Sequence, residues 1–160
     1  MEVNLQYITT DNYRECLKLS VDESQAHFVA TNAQSLAEAK ADSTLIPLAV
    51  YGREALGFMP PDVPVPMVGF IMYELKGGVG FVLRVMIDRT YQGKGYGKAA
   101  VIEVIRRLKL HPEVQMVATS YQRNNEASAG LFKSLGFVSW DIAWATENES
   151  EVFLRLDESW

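Results

Sequence analysis

The run Val85-Met86-Ile87-Asp88-Arg89-Thr90-Tyr91-Gln92-Gly93-Lys94-Gly95-Tyr96-Gly97-Lys98-Ala99-Ala100 leaves few folds open to this chain. An apolar, strand-like stretch ends in a polar turn, glycines then alternate with two other residues, and a helix begins. Glycine admits positive φ, so such a loop can turn its backbone N–H groups inward, and the helix start adds its partial positive charge. Together they make an anion site, most often for phosphate. A strand feeding a helix through such a turn calls for an α/β architecture. The spacing excludes two familiar phosphate loops. Gly93, Gly95 and Gly97 do not fit the dinucleotide fingerprint G-x-G-x-x-G. Gly97-Lys98 is followed by Ala99, and Gln92 stands where a Walker A loop needs its first glycine. What remains is Gln92-Gly93-Lys94-Gly95-Tyr96-Gly97, of the form Q/R-x-x-G-x-G/A; a turn with only a structural role is the alternative.

A chain of 160 residues is most simply one domain, residues 1–160, long enough to bury a sizeable core. The net charge of -5 argues against a nucleic-acid surface, which is normally basic. Cys16 is the only cysteine, which excludes an intramolecular disulfide and a thiolate metal site, and no metal is expected. His27 and His111 lie far apart without ligand spacing and read as surface or hydrogen-bonded histidines. The first residues carry no leader pattern, and no stretch approaches the ~20 apolar residues of a membrane span. A cytoplasmic enzyme with no membrane partner is the expectation.

Along the chain, Val3 to Ile8 alternates as a half-buried strand does. Thr9-Thr10-Asp11 offers caps for a first helix with Tyr13, Cys16, Leu17 and Leu19 as its apolar stripe. Val21 to Ala33 reads as irregular or as a broken helix, and Ser35 as the cap of a short helix from Leu36 to Lys40. Ile46 to Tyr51 is a strand. Pro60, Pro61, Pro64 and Pro66 exclude regular pairing over most of 53–66, making that segment a long loop suited to a lid or substrate wall. Met67 to Leu75 and Val79 to Ile87 pair across Lys76-Gly77-Gly78 as a hairpin. A helix from about Gly95 to Leu110 buries Ala100, Val101, Val104, Ile105 and Leu108 and ends at His111-Pro112. Val114 to Tyr121 is a strand. Asn124-Asn125 caps a helix from Glu126 to Leu135, stopped by Gly136. Phe137 to Trp144 and Val152 to Leu156 close the chain as two strands around Glu147-Asn148-Glu149.

The loop Gln92 to Gly97 resembles the pyrophosphate loop of the GNAT N-acetyltransferase superfamily, which binds acetyl-coenzyme A. Asn125-Glu126-Ala127-Ser128-Ala129-Gly130-Leu131-Phe132-Lys133-Ser134-Leu135-Gly136-Phe137 is similar to that superfamily's later helix, N-x-A-x-x-x-L-Y-x-x-L-G-F. Two motifs at the right separation are specific where one is not. Pro47-Leu48-Ala49-Val50-Tyr51, Val68-Gly69-Phe70-Ile71-Met72-Tyr73, and Ile87-Asp88 through Tyr91-Gln92-Gly93-Lys94-Gly95 also look like the bacterial spermine/spermidine acetyltransferases.

The resemblance implies a GNAT fold: a mixed, mostly antiparallel, twisted sheet, flanked by helices on both faces and splayed after its fourth strand, with acetyl-CoA in the opening. Val85, Met86 and Ile87 are then expected to offer backbone groups to the pantetheine arm, as an added strand does. Gln92, Gly93, Lys94, Gly95, Tyr96, Gly97 and Lys98 would hold the pyrophosphate, with Asn125, Ser128, Phe132 and Lys133 along the far side. The implied reaction is acetyl transfer to a primary amine of a small molecule, with a polyamine favoured and a homodimer expected. An aminoglycoside, an amino acid or a protein amine stays open as acceptor.

One position departs from the pattern. The family's usual proton donor is the tyrosine of the L-Y pair, and here it is Phe132. Tyr121 is the first choice of substitute, with Ser128 and a water behind it; an unaided thiolate departure and a CoA-binding module with little turnover are the alternatives. Asp22, Glu23 and Glu74 are candidates to hold or deprotonate a cationic amine, as are Asp141, Glu147, Glu149 and Glu151. Trp140 and Trp144 could line the acceptor tunnel or serve in the core or a dimer contact.

Overall fold

The computed structural model describes residues 2–53, 62 and 64–157. In chain order the elements are β1 (Asn4–Tyr7), α1 (Tyr13–Lys18), a 3₁₀ turn (Glu23–Gln25), α2 (Asn32–Ala41), β2 (Leu45–Tyr51), β3 (Met67–Lys76), β4 (Val79–Ile87), a second 3₁₀ turn (Arg89–Tyr91), α3 (Tyr96–Leu110), β5 (Met116–Gln122), α4 (Glu126–Ser134), β6 (Phe137–Ser139), α5 (Ala143–Thr146) and β7 (Glu151–Leu156). The strands form one seven-stranded sheet in the order β1-β2-β3-β4-β5-β7-β6. Only β4 and β5 run parallel, because α3 carries the chain back between them.

β3 lies mid-sheet and is buried from Met67 through Tyr73, so its sequence is a continuous apolar run rather than an alternating one. On one face α3 lays Tyr96, Ala100, Val101, Val104, Ile105 and Leu108 against Leu48, Val68, Ile71 and Val82, joined by Phe132, Phe137 and Leu154. The other face packs Ala49, Phe70, Met72 and Met86 against Cys16, Val29 and Leu36. The β3–β4 hairpin turns on Gly77 and Gly78, with φ of 59° and 80°, as a two-residue turn of the primed type requires. One sheet with helices packed on both faces is the expected mixed α/β architecture.

Three local expectations fail. Ser35 is no cap: α2 begins at Asn32, Thr31 Oγ1 accepts from Gln34 N at 3.1 Å, and Ser35 is fully buried inside the helix. α1 makes no side-chain cap at Asn12, and of the expected stripe only Cys16 is buried; Leu17 is exposed. The strand expected from Phe137 to Trp144 stops at Ser139, because Trp140 packs edge-on to Trp144 at 5.2 Å and Trp144 on Phe153 at 4.9 Å, and the chain turns into α5. Pro60, Pro61 and most of the 53–66 loop lie outside the described residues; Pro66 O accepts from Gly52 N at the entry to β3.

The sheet opens at one place. β4 pairs with β5 only from Val79 to Val82, opposite Met116 to Thr119, after which β5 turns to β7 through Ala118 to Gln122. The β3–β4 register shifts at the same level: Tyr73 faces Val82 while Met72 faces Arg84, leaving Leu83 as the extra residue of a bulge. A bulge bends its strand and sharpens the local twist, and here it carries Arg84 to Ile87 away from β5. Thr119 Oγ1 donates to Val82 O at 2.8 Å, satisfying a buried carbonyl where the ladder ends.

Candidate active site

The opening is a cleft of about 640 Å³, lined on one wall by Val82 to Ile87 and on the other by Thr119 to Gln122, with the 21–30 segment and the start of α4 closing its ends. Beyond Val82 the β5-facing edge of β4 has no partner strand, so its backbone groups can pair with an extended ligand, as Val85, Met86 and Ile87 were expected to do.

At the mouth of β4 lies the glycine loop. Gly93 and Gly95 adopt φ of 77° and 90°, so both need glycine. The backbone N–H groups of Gly93, Lys94, Gly95, Gly97 and Lys98 donate to no backbone oxygen among the described residues; the first intrahelical bond runs from Ala99 N to Gly95 O. Unpaired backbone donors at a helix start with exposed Lys94 and Lys98 beside them suit a pyrophosphate, although Lys94, Gly95 and Lys98 line a second hollow with Glu2 and Glu103 and the loop reaches the β4–β5 cleft through Gln92. Tyr96 has another job: it is 1% exposed, and a Cβ on Gly52 would come within 2.4 Å of its ring, so it anchors the loop in the core. The Gln92 side chain is also occupied, donating to Ile87 O and Gln25 Oε1, both at 2.9 Å. Gln92 therefore shapes the loop, with both of its amide N–H groups committed.

Asn125, Ser128 and Phe132 line the cleft. Asn125 Oδ1 accepts from Ser128 N at 3.2 Å, so it caps α4 while facing the opening. Phe132 is buried against Phe137, rings edge-on at 5.4 Å. Lys133 is exposed on α4 and outside the cleft lining. Tyr121 lines the same cleft and packs toward the α3–α4 side of the sheet, the side that holds Phe132. Tyr121 and Phe132 thus share one cleft and one face of the sheet.

The acid candidates separate. Asp22 and Glu23 are exposed at the first 3₁₀ turn and do not line the cleft. Glu74 sits opposite Phe81 in the far half of the β3–β4 ladder, away from the opening. Asp141, Glu147 and Glu149 are exposed outside it. Glu151 lines the cleft, partly buried, with Ser120 Oγ at 3.5 Å. His27 also lines it, its ring 3.9 Å from that of Phe28, although nothing in the sequence around it drew attention.

Arg84 is a further cleft residue that sequence reading missed. The bulge turns its guanidinium to α2, where it hydrogen-bonds Ser35 Oγ and forms an ion pair with Glu38. Those Arg84 hydrogen bonds, with a lesser one from Gln34, hold the Glu38 carboxyl below its ordinary range. Asn32 Nδ2 donates to Cys16 O at 2.9 Å and touches Met86 Sδ, tying α1, α2 and β4 together behind the cleft. Cys16 itself is no nucleophile, since burial pushes its thiol up to about 11 and it does not reach the opening. Among the described residues no group of three or more His, Cys, Asp or Glu could hold a metal. No helix among them is long and apolar enough to cross a membrane.

The model of the acetyltransferase (GNAT) family matches residues 11–137. The spermine/spermidine N(1)-acetyltransferase of Bacillus subtilis is 28% identical over 145 residues, which cover 86% of this chain and 88% of that protein. Two solved structures share the fold. The PaiA N-acetyltransferase of Thermoplasma acidophilum, in complex with coenzyme A, superposes with a TM-score of 0.68 at 11% identity over 98% of this chain and 99% of that one. The spermidine N-acetyltransferase of Vibrio cholerae, in complex with CoA and spermine, gives 0.66 at 12% identity over 96% and 93%. The chain belongs to the GNAT acetyltransferase family.

Proposed function

We propose that this GNAT acetyltransferase uses acetyl-CoA to acetylate a primary amine of a small molecule, and that the acceptor is a polyamine such as spermidine or spermine. The observation that carries the reading is the release of β4 from β5 beyond Val82, which opens a cleft holding a free strand edge, Tyr121 and Gln92 at the head of the glycine loop. The Bacillus subtilis relative, similar over most of both chains, supports the choice of polyamine.

Bound acetyl-CoA supplies a thioester whose carbonyl carbon accepts the amine nitrogen as the carbon–sulfur bond breaks. The chain's own groups position and move protons. The N–H groups of Gly93, Lys94, Gly95, Gly97 and Lys98 hold the pyrophosphate, and the β4 edge from Val85 to Ile87 holds the extended arm. Tyr121 donates its hydroxyl proton to the departing sulfur, the part Phe132 cannot take. An amine with a lysine-like pKa is about 99.9% protonated at pH 7, so one proton must leave it before attack. His27, Glu126 and Glu151 are the cleft groups able to receive that proton, directly or through water. The reading includes a homodimer in the cytoplasm, as the family resemblance implies.

Thiol release from acetyl-CoA is the test, with spermine, spermidine, an aminoglycoside and an amino acid as acceptors. Turnover with polyamines supports the reading; turnover confined to an aminoglycoside overturns the acceptor. Phe132 favours one second reading, a CoA-binding module with little turnover. Calorimetric CoA binding with no turnover on any amine would establish it.

A further inference from the structure

We infer that Glu151 and the aromatic ledge of Phe153 and Trp144 form the acceptor's binding site, built for an ammonium group followed by a chain that carries further positive charge. The inference rests on the polyamine reading above and deepens it. Besides Tyr121, four charged or ionisable side chains line the cleft: His27, Arg84, Glu126 and Glu151. Arg84 is committed to Glu38 and Ser35. Glu126 is exposed in the first turn of α4, where the helix terminus already favours a carboxylate. Glu151 has neither advantage. It is partly buried and has no cationic partner among the described residues. Its neighbours are the Ser120 hydroxyl and Gln122, its cross-strand partner. A partly desolvated carboxylate facing a cleft without a counterion is stabilised by any cation that enters.

The surface next to it decides which cation fits. Val152, Leu154 and Leu156 face the α3–α4 core, so Glu151 and Phe153 share the opposite face of β7, about 7 Å apart along the strand. Phe153 meets Trp144 edge-on at 4.9 Å and Phe81 at 6.2 Å, and Trp140 backs Trp144. Trp144 is 50% exposed, so the ledge is open to solvent outside the cleft that Glu151 lines, and Phe153 is its link to the carboxylate along β7. Ring faces attract ammonium groups, and their apolar area suits a methylene chain. A short spacer of methylenes spans the step from Glu151 to Phe153. An α-amino acid, whose carboxylate would enter beside Glu151, is disfavoured by the same arrangement.

The test is an NMR chemical-shift titration of the CoA-saturated protein with spermine and with butylamine, alongside calorimetry of CoA binding. Wild type should bind both, spermine more tightly. Glu151→Gln should weaken both by about tenfold or more with CoA affinity unchanged. Trp144→Ala should weaken spermine several-fold and leave butylamine as it was. Failure of wild type to bind spermine, or unaltered binding by Glu151→Gln, overturns the inference. Equal losses for both amines in Trp144→Ala remove the ledge. If binding follows this pattern but no acetyl transfer occurs, the acetylation reading fails and the cation site stands.

Discussion

The side-chain amide of Gln92 donates to Gln25 Oε1 and to Ile87 O, each at 2.9 Å, and so fastens the glycine loop both to its own strand and to the 3₁₀ turn of the cleft wall. The glycine loop and the 21–30 segment of the cleft wall are thereby one mechanical unit. Asp88 reinforces the joint: its carboxylate accepts from Ser20 N at 2.8 Å and from Thr90 N at 3.1 Å, while Arg89 N donates to Ser20 O.

Loss of that joint should be felt by both substrates. Gln92→Ala and Gln25→Ala should each raise KM for acetyl-CoA and for the amine about 2- to 10-fold, the range of one hydrogen bond. The double variant should be less than additive, because both singles remove the same bond. Steady-state kinetics across the four proteins reads the coupling; an effect of Gln92→Ala on acetyl-CoA alone, with Gln25→Ala silent, contradicts it.

The loop glycines are not equivalent. A Cβ on Gly93 meets no atom within 4 Å, so Gly93→Ala acts through its φ of 77° alone, at a cost of about 1–2 kcal/mol. Gly97 has no positive φ, and its Cβ would lie 3.7 Å from Ile87 Cγ1, an ordinary contact. Calorimetry should show CoA affinity falling in Gly93→Ala by roughly tenfold, and both proteins should remain folded. A smaller loss in Gly93→Ala than in Gly97→Ala contradicts the conformational account.

Tyr121→Phe should lower kcat by ~10²–10⁴ while KM for acetyl-CoA holds, if the hydroxyl protonates the leaving sulfur. Phe132→Tyr restores a hydroxyl at the family's usual place and should recover part of the loss in the Tyr121→Phe background. An undiminished kcat in Tyr121→Phe removes this residue from the chemistry.

The Arg84–Glu38 contact gives the acid limb of stability a specific contributor. The Glu38 carboxyl is held below its ordinary value of 4.5, so its stabilising effect is full above that pH and is lost as pH falls through the lower folded-state value. Glu38→Gln should therefore be less stable than wild type at pH 7, and the gap should close as pH falls below 4.5, as read by urea melts at each pH. A stability gap that stays constant from pH 7 to pH 3 contradicts the assignment.

The parts of the molecule governed by local rules were legible from residues alone. The β3–β4 hairpin, the glycine loop and the buried face of α3 follow from a two-glycine turn, alternating glycines and a helical apolar period. What escaped depends on pairing between distant strands. Nothing near Leu83 announces the bulge, which exists only relative to Tyr73 and Met72, and the bulge is what brings Arg84 to α2. Glu151 could not be told from Glu147 and Glu149 in sequence, because burial in the cleft follows from β7 lying between β5 and β6. Ser35 looked like a cap because serine favours caps; its hydroxyl serves Arg84 instead.

The central claim is that one cleft takes acetyl-CoA along β4 and hands its acetyl group to a polyamine. Incubation of the purified protein with acetyl-CoA and spermine, followed by mass spectrometry of the polyamine alongside thiol release, tests it directly. The account predicts monoacetylated spermine in equal amount to free CoA thiol, with both reduced together in Tyr121→Phe. CoA thiol released without acetylated spermine, or no reaction by a protein that binds CoA, would contradict it.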